Sequence, residues 1–580
     1  MRTTALLLLA VACLMPDLTA GQKRAADAAE QHYRRAIALL DKQPGRARTE
    51  LGLAIRLKPD FADAHNLLGL ALARGGELRL AVESFRKAIQ LDHSHYKAHR
   101  NLGLALQQLG DIDGAIAAFA SSASIKGDDI DTRMLLGAAY QHKGNADMAI
   151  AEFRQAVRLD PKSAEAHRHL GFLLGTKGQL QEAVSELEAA IMLKPDYADA
   201  HYYLGAARWF SGDVKGTITA LRVAAQLMPD HTDAHYYLGL ALKKSGNLPS
   251  AVTELATASR LAPDMADIRH ALGQALQENG DLEEAVEAFR VAIKLKPDFL
   301  QAYNDLGLAL VEKRDPDGAV AAFNEALRID PNNLVANHNL GLALIQKSDY
   351  TSAVAQYRKL IALAPNSAEA HYNLGLALKN KDQFDEATVE LRKAIALQPQ
   401  LREAHYTLGI VLLQQARLDE AAASLKAALQ AKPDYAEALY ALGTVLQQQG
   451  KTEEAIAILR EALRYAPQAP EIHNTLGAAL RQKGDMESAR EEFSEAARLN
   501  KKKSDMQAAM FALNTGIAHL REGRIDAAIE RFGAAIKLNP EDAQAHYNLA
   551  KALQRKGDLQ AARSAYESAK RLNPKLKPLD

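Results

Sequence analysis

The stretch "DFADAHNLLGLALARGGELRLAVESFRKAIQLD", residues 60–92, carries two helical runs of apolar residues. Ala64, Leu67, Leu68 and Ala71 mark one face of a first helix, and Ala81, Phe85 and Ala88 mark one face of a second. Gly75–Gly76 breaks the run between them, Asp60 is the expected N-cap, and Asp63 sits where a helix N-terminus favours negative charge. A closing proline repeats the pattern: Pro59, then Pro161, Pro195, Pro229, Pro263, Pro297, Pro331, Pro365, Pro399, Pro433 and Pro467, the last ten at a constant step of 34 residues. His93 and Gly127 hold the two skipped places. Lys501 holds the place after Pro467, and the phase then slips by five residues to Pro540 and Pro574. Neither helix of a pair can bury its apolar face alone. Neighbouring pairs supply the missing surface, so the pattern predicts an all-α solenoid rather than a ball.

About sixteen copies fit between residues 28 and 576. Counting Ala62 as place 1 of repeat 2, fourteen tandem repeats cover 28–503, "SDMQA" at 504–508 is an insertion expected to act as a joint, two further repeats cover 509–576, and 577–580 is a tail. The turn glycine at place 15 (Gly76, Gly110, Gly144, Gly178, Gly212, Gly246, Gly280) is replaced in four successive repeats by Arg314, Ser348, Asp382 and Ala416. Either these residues take positive φ, at roughly 1 kcal/mol each, and soften the middle of the array, or the turn has another shape there.

The residues resemble the tetratricopeptide repeat family. The match lies in the Leu68–Gly69 pair at places 7–8, Ala81 at place 20, Phe85 at place 24, Ala88 at place 27 and the proline at place 32. Units such as "AHYNLGLALKNKDQFDEATVELRKAIALQP" look most like the superhelical arm of O-GlcNAc transferases, without a catalytic domain. The resemblance implies a right-handed superhelix whose first helices line a concave groove with places 2, 5, 6, 9, 12 and 13. Tyr202 and Tyr236 then fall at place 5, Tyr203 and Tyr237 at place 6, and Trp209 and Phe210 at places 12 and 13. In repeat 7 the last two places are Lys243 and Lys244, expected to meet an acidic end of a ligand. Asn101, Asn339, Asn373 and Asn548 at place 6 resemble the transferase arm's asparagine ladder, suited to peptide backbone because an amide donates and accepts. Place 11 of repeat 6 is Arg208 instead of an apolar residue, so Trp209 either faces the groove or turns inward to fill that gap.

Composition narrows the function. Lys plus Arg and Asp plus Glu number 71 each, which gives no global field to attract nucleic acid. "MRTTALLLLAVACLMPDLTAGQ" has one cation, an apolar run from Ala5 to Met15, Pro16 and a small-residue site at Ala20–Gly21. That is a signal-peptide pattern over residues 1–20, too short to span a bilayer. Export to the periplasm or outside the cell is expected. A retained apolar cap helix and a cytoplasmic chain are the alternative. Cys13, the single cysteine, would leave with the segment.

No catalytic motif stands outside the repeat, and no cofactor or metal is expected. A histidine ladder at place 4 (His65, His99, His167, His201, His235, His371, His405, His473, His546) spaces its rungs at the helix–helix distance, too far apart to share one zinc ion. An acidic ladder at place 2, including Asp63, Asp199, Asp233 and Glu369, serves the helix N-termini or a basic partner. The expected function is a non-catalytic scaffold that binds extended or helical protein segments in an envelope or secreted assembly. An accessory recruiting arm for a separate enzyme and an array self-associating through its ends are the alternatives.

Overall fold

The computed structural model describes residues 22–579, so the expected signal segment, Cys13 included, lies outside the described residues. Among the described residues, all regular structure is α-helical. Packing groups the chain into two compact parts, one ending at Ala302 and the other starting at Tyr303. Each is an α-solenoid in which a helix packs on its neighbours in sequence.

The first helices begin at place 1 in repeat after repeat, for example Ala62–Arg74, Ala198–Ser211 and Ala368–Lys379. Asp60 is not the cap: the capping residue is Phe61, directly before the helix, and Asp60 lies in the turn. At that same place Ser163, Asn333, Ser367 and Asp542 do cap with their side chains. The second helices are capped more regularly at place 16, where the side chains of Asp111, Asn145, Asp213, Asn247, Asp315 and Asp349 accept backbone N–H groups. The pairs close through Gly at place 8. A Cβ on Gly69 would stand 2.5 Å from the Phe85 ring, and on Gly239 2.6 Å from Leu255. Place 24 then passes beneath the next repeat: Leu187 and Ala190 of repeat 5 share one buried cluster with Ala200 and Leu204 of repeat 6.

The turn keeps its shape where glycine is lost. Arg314, Ser348, Asp382 and Ala416 have φ of 61°, 64°, 57° and 55°, against 79° at Gly76. The alternative turn shape is therefore excluded, and the strain is real.

The joint at 504–508 is not a break. Met486–Arg521 is one continuous helix of 36 residues that fuses the second helix of repeat 14 to the first helix of repeat 15. Proline normally stops the chain at place 32, because it disfavours helix in the residue before it. Here "NKKKSDMQAAM" has neither proline nor glycine, and the helix runs through.

Restoring glycine at all four strained turns (R314G, S348G, D382G, A416G) should stabilise repeats 9–12. Each change relieves roughly 1–2 kcal/mol of left-handed strain, less roughly 0.4–1 kcal/mol for glycine's freer unfolded chain. Hydrogen exchange is expected to slow in those repeats and stay constant in repeats 2–5. Unchanged or faster exchange would show that the turns store no recoverable strain.

Candidate functional site

The histidine ladder is a set of clips. The imidazole Nε2 lies 3.2 Å from the Pro59 carbonyl at His65, 2.8 Å from Pro195 at His201 and 3.1 Å from Pro365 at His371. His99, His167, His235, His405, His473 and His546 reach the carbonyl at the same place, three residues before their helix. In four repeats Nδ1 also meets a glutamate of the second helix: His167–Glu186, His235–Glu254 and His371–Glu390 at 2.6 Å, and His473–Glu492 at 2.5 Å. Repeat 10 exchanges both partners. Asn337 donates to the Pro331 carbonyl at 3.1 Å, and Gln356 donates to the Asn337 side chain at 2.7 Å. A pair that swaps together and keeps its bonds holds the loop between repeats. Place-2 acids stand in the first helical turn, and some also reach a neighbouring helix: Asp63 meets His95, the cap residue of the next repeat's first helix, and Glu369 meets His338 of the preceding repeat, both at 3.3 Å.

The expected aromatic residues of repeats 6 and 7 do come together. Tyr202 and Tyr203 are 5.4 Å apart between ring centroids, and Tyr236 and Tyr237 are 5.3 Å apart. Trp209 and Phe210 reach Tyr237 of the next repeat at 6.4 and 6.2 Å. Trp209 therefore does not fill the space beside Arg208. A hollow of about 250 Å³ remains there, lined by Ile191, Met192, Leu204 and Arg208. The Arg208 guanidinium is held by Glu188 and, at 3.7 Å, by Asp213. Phe210 is 65% exposed, a large ring left open to solvent. Lys244 is exposed and lies 5.6 Å over the Trp209 ring. Lys243 departs from its expected role: it donates to Gln274 at 2.9 Å and pairs with Glu278 at 3.4 Å, so it is already engaged.

Pattern reading missed the cavity that the cluster encloses. About 200 Å³ lies between repeats 5 and 6, walled by Phe172, Tyr202, Tyr203 and Phe210 and floored by Gly175 and Ala206. The Phe172 and Tyr203 rings meet at 4.7 Å between centroids, tilted by 48°. The available signal was one of size. Place 9 is Leu in repeats 2, 3, 7, 9, 10 and 11 but Ala206 in repeat 6, and place 12 is glycine only at Gly175. Burial and then Asp233, whose carboxylate accepts from Tyr202 at 3.5 Å, push the Tyr202 phenol well above its usual range.

The asparagines of the expected ladder lie deep in the first-helix layer. Asn101, Asn339, Asn373 and Asn548 are 4–9% exposed. The Asn101 amide donates to Asn66 at 2.9 Å, and the Asn548 amide to its own helix at Gln544. The amides of Asn101 and Asn548 are thus already engaged within the stack.

Among the described residues, no helix is long and apolar enough to cross a membrane, and no group of three or more His, Cys, Asp or Glu is placed to hold a metal ion.

Three family models match. One described as tetratricopeptide repeat covers residues 42–94, 79–130 and 513–576, and one described as TPR repeat covers 142–178, 176–209 and 277–313. The model of the cilia and flagella-associated protein 70 C-terminal domain covers 300–513. The chain belongs to the tetratricopeptide repeat proteins, a family of protein–protein interaction scaffolds. These matches carry the family and not the finer likeness to the transferase arm. No curated protein matches. Among solved structures, YrrB, described as a TPR protein with an unusual peptide-binding site, is 24% identical over 32% of this chain and 95% of its own, with a TM-score of 0.30. MamA is 31% identical over 28% of this chain and 94% of its own, with a TM-score of 0.27. A chain of the Naa15/Naa10 structure bound to HypK-THB is 14% identical over 94% of each, with a TM-score of 0.34.

On the helix that carries Phe172 and Gly175, His169 stacks on Phe153 with centroids 4.9 Å apart and rings 8° from parallel. Burial, and then the Arg168 guanidinium, drive its pKa down from 6.5 to about 4. Between those values the unfolded chain takes a proton that the folded chain refuses. The contribution of His169 to stability is thus whole above pH 6.5 and is lost as pH falls towards 4. The melting temperature of the wild type should drop more between pH 7 and pH 5 than that of His169→Phe. Parallel curves would remove His169 as the cause.

Proposed function

We propose that the face built by the first helices of repeats 5–7 binds protein segments by taking a bulky apolar side chain into the Phe172–Tyr203–Phe210 cavity. The observation that carries this reading is the cavity itself: apolar walls, a floor of Gly175 and Ala206, and the exposed Phe210 at its mouth. A solvent-exposed ring beside an apolar hollow leaves apolar surface in water that a ligand side chain would cover. Trp209 and the tyrosines give contact area at small entropic cost, as at the centres of other interfaces. The carboxylates of Asp199, Asp233 and Asp267 stand in the first turns of successive helices on this face, so the segment is best basic next to its apolar anchor. The N-terminal pattern supports export, which makes the partner an envelope or secreted protein. Catalysis has no part in this reading.

Gly175→Gln tests it without damaging the fold. Glutamine is what repeats 3, 4, 8 and 13 carry at the same place, as Gln107, Gln141, Gln277 and Gln447. A Cβ on Gly175 meets nothing nearer than Ala183 at 3.8 Å. Gly175 lies in the last turn of Ala164–Thr176, so its replacement should leave stability unchanged or slightly raised while the longer side chain fills the cavity. Pull-downs from the native host after mild crosslinking should capture partners with the wild type and lose them with G175Q and with the Trp209→Ala, Phe210→Ala double variant. A stable G175Q chain that captures the same set would overturn the proposal.

A further inference from the structure

The fused helix leaves two halves of one interface open. In the regular stack, places 24 and 27 of one repeat pack on place 3 of the next, as Leu51 and Ala54 do on Ala64. Place 24 is at most 1% exposed in repeats 1–13 and in repeat 15. Among the described residues it is half-buried in two repeats: Tyr566, in the last, and Phe493, in repeat 14. The rest of that face agrees. Place 17 is exposed in the same two repeats, with Met486 at 61% and Leu559 at 69%. Place 21, which is Val, Ile, Thr or Ala in repeats 2–13, is the exposed Arg490 and Arg563. Repeat 14 is therefore surfaced like an end. The matching entry face is bare as well. Place 3 is at most 3% exposed in repeats 2–14 and 16, yet in repeat 15 it is Phe511, 73% exposed, with Met510 at 60% and Met506 at 51% next to it.

One copy cannot bring these faces together. Phe493 and Phe511 are eighteen residues apart on one continuous helix, about 27 Å along its axis at 1.5 Å per residue. We propose that a second copy of this chain supplies the missing half: Phe511, Met510 and Met506 of one copy pack on Phe493, Met486 and the exposed Ala497 of the other, and reciprocally. The contact continues the interface that joins every other pair of consecutive repeats, and its reciprocity closes a twofold dimer without leaving a free edge. Ala497, small and exposed at place 28 where repeats 8–13 carry Ile or Leu, leaves room for a phenylalanine at a place elsewhere held mostly by alanine. Exchange between copies is the form in which an inter-repeat contact survives loss of its turn. Lys501–Lys503 of both copies lie near the twofold axis, so added salt should tighten the pair by screening them.

Sedimentation velocity on the full chain over a dilution series reads the association. A dimer that strengthens with concentration is expected. Phe511→Glu, at an exposed position, should abolish it with an unchanged melting temperature. In a Cys13→Ser background, differently tagged Ala497→Cys and Phe511→Cys chains should form a disulfide between copies when mixed. Deleting 504–508 together with Lys501→Pro restores the 34-residue phase and should return a monomer, with repeat 15 stacked on repeat 14 of its own chain. The proposal fails if the wild type is monomeric at every concentration, if F511E or the deletion leaves the dimer intact, or if an A497C, F511C double variant crosslinks within a monomer. A heterologous protein on the Phe511 face of a monomeric chain would likewise overturn it.

Discussion

The array depends on a side chain that is absent. In fourteen repeats the first helix carries glycine at place 8, and a Cβ there would stand 2.4–3.0 Å from the nearest atom, in each case on the place-24 side chain of the paired helix. Atoms in real structures do not pack that closely, so the second helix can come this near only against bare backbone. Once that approach is fixed, place 24 can be Phe, Tyr or Leu with little change in the pair, as at Phe323, Tyr357 and Leu391, all fully buried. Repeat 1 keeps Leu51 buried with Arg35 at place 8, but at the other end of the series the packing loosens. Repeat 16 has Ala550 at place 8 and a half-buried Tyr566. Gly477 of repeat 14, beneath the half-buried Phe493, is the loosest of the series at 3.0 Å.

Within each compact part this contact works with two links between repeats: the packing of places 24 and 27 on place 3, and the clip from place 4 to the loop carbonyl. The clip explains why histidine recurs without any ion to bind. An imidazole has two polar edges, and at His371 one meets a backbone carbonyl and the other a carboxylate. The demand is geometric, which is why Asn337 with Gln356 meets it equally well. At Glu390 burial raises the carboxyl pKa, but the hydrogen bonds from Lys393 and His371 outweigh it and hold the group below its usual range.

Much of the fold was legible because a strict period makes each repeat a test of the others. The first helices begin where the 34-residue phase puts them, and the clustering of Tyr203, Trp209, Phe210 and Tyr237 followed from their places. What escaped the pattern was whatever depends on a neighbour's shape. The cavity arises from two small residues, Gly175 and Ala206, in different repeats, and small residues leave no mark on an apolar pattern. The asparagines fell at the expected place but lie nearly buried, and two of the amides, at Asn101 and Asn548, find partners within the stack. The continuous helix was not foreseen, because an insertion draws the eye as a joint, whereas the local composition around Lys501–Ala508 contains nothing that stops a helix.

The two kinds of irregularity along the chain differ in what they loosen. At Arg314, Ser348, Asp382 and Ala416 the cost is held in the backbone of a turn, and a Cβ at the corresponding glycines of other repeats meets no atom within 4 Å. The packing below is untouched: Phe323, Tyr357, Leu391 and Leu425 in those repeats are all 0% exposed. Strain of this sort lowers local stability without uncovering apolar surface, so it creates no demand for a partner. At repeat 14 the turn is absent, the backbone is an unstrained helix, and it is the packing that is lost. Exposed Phe511, Met510 and Met486 are the result. In a stack held by nearest-neighbour contacts, a strained turn changes how readily one repeat opens, whereas a missing interface leaves surface that has to be covered.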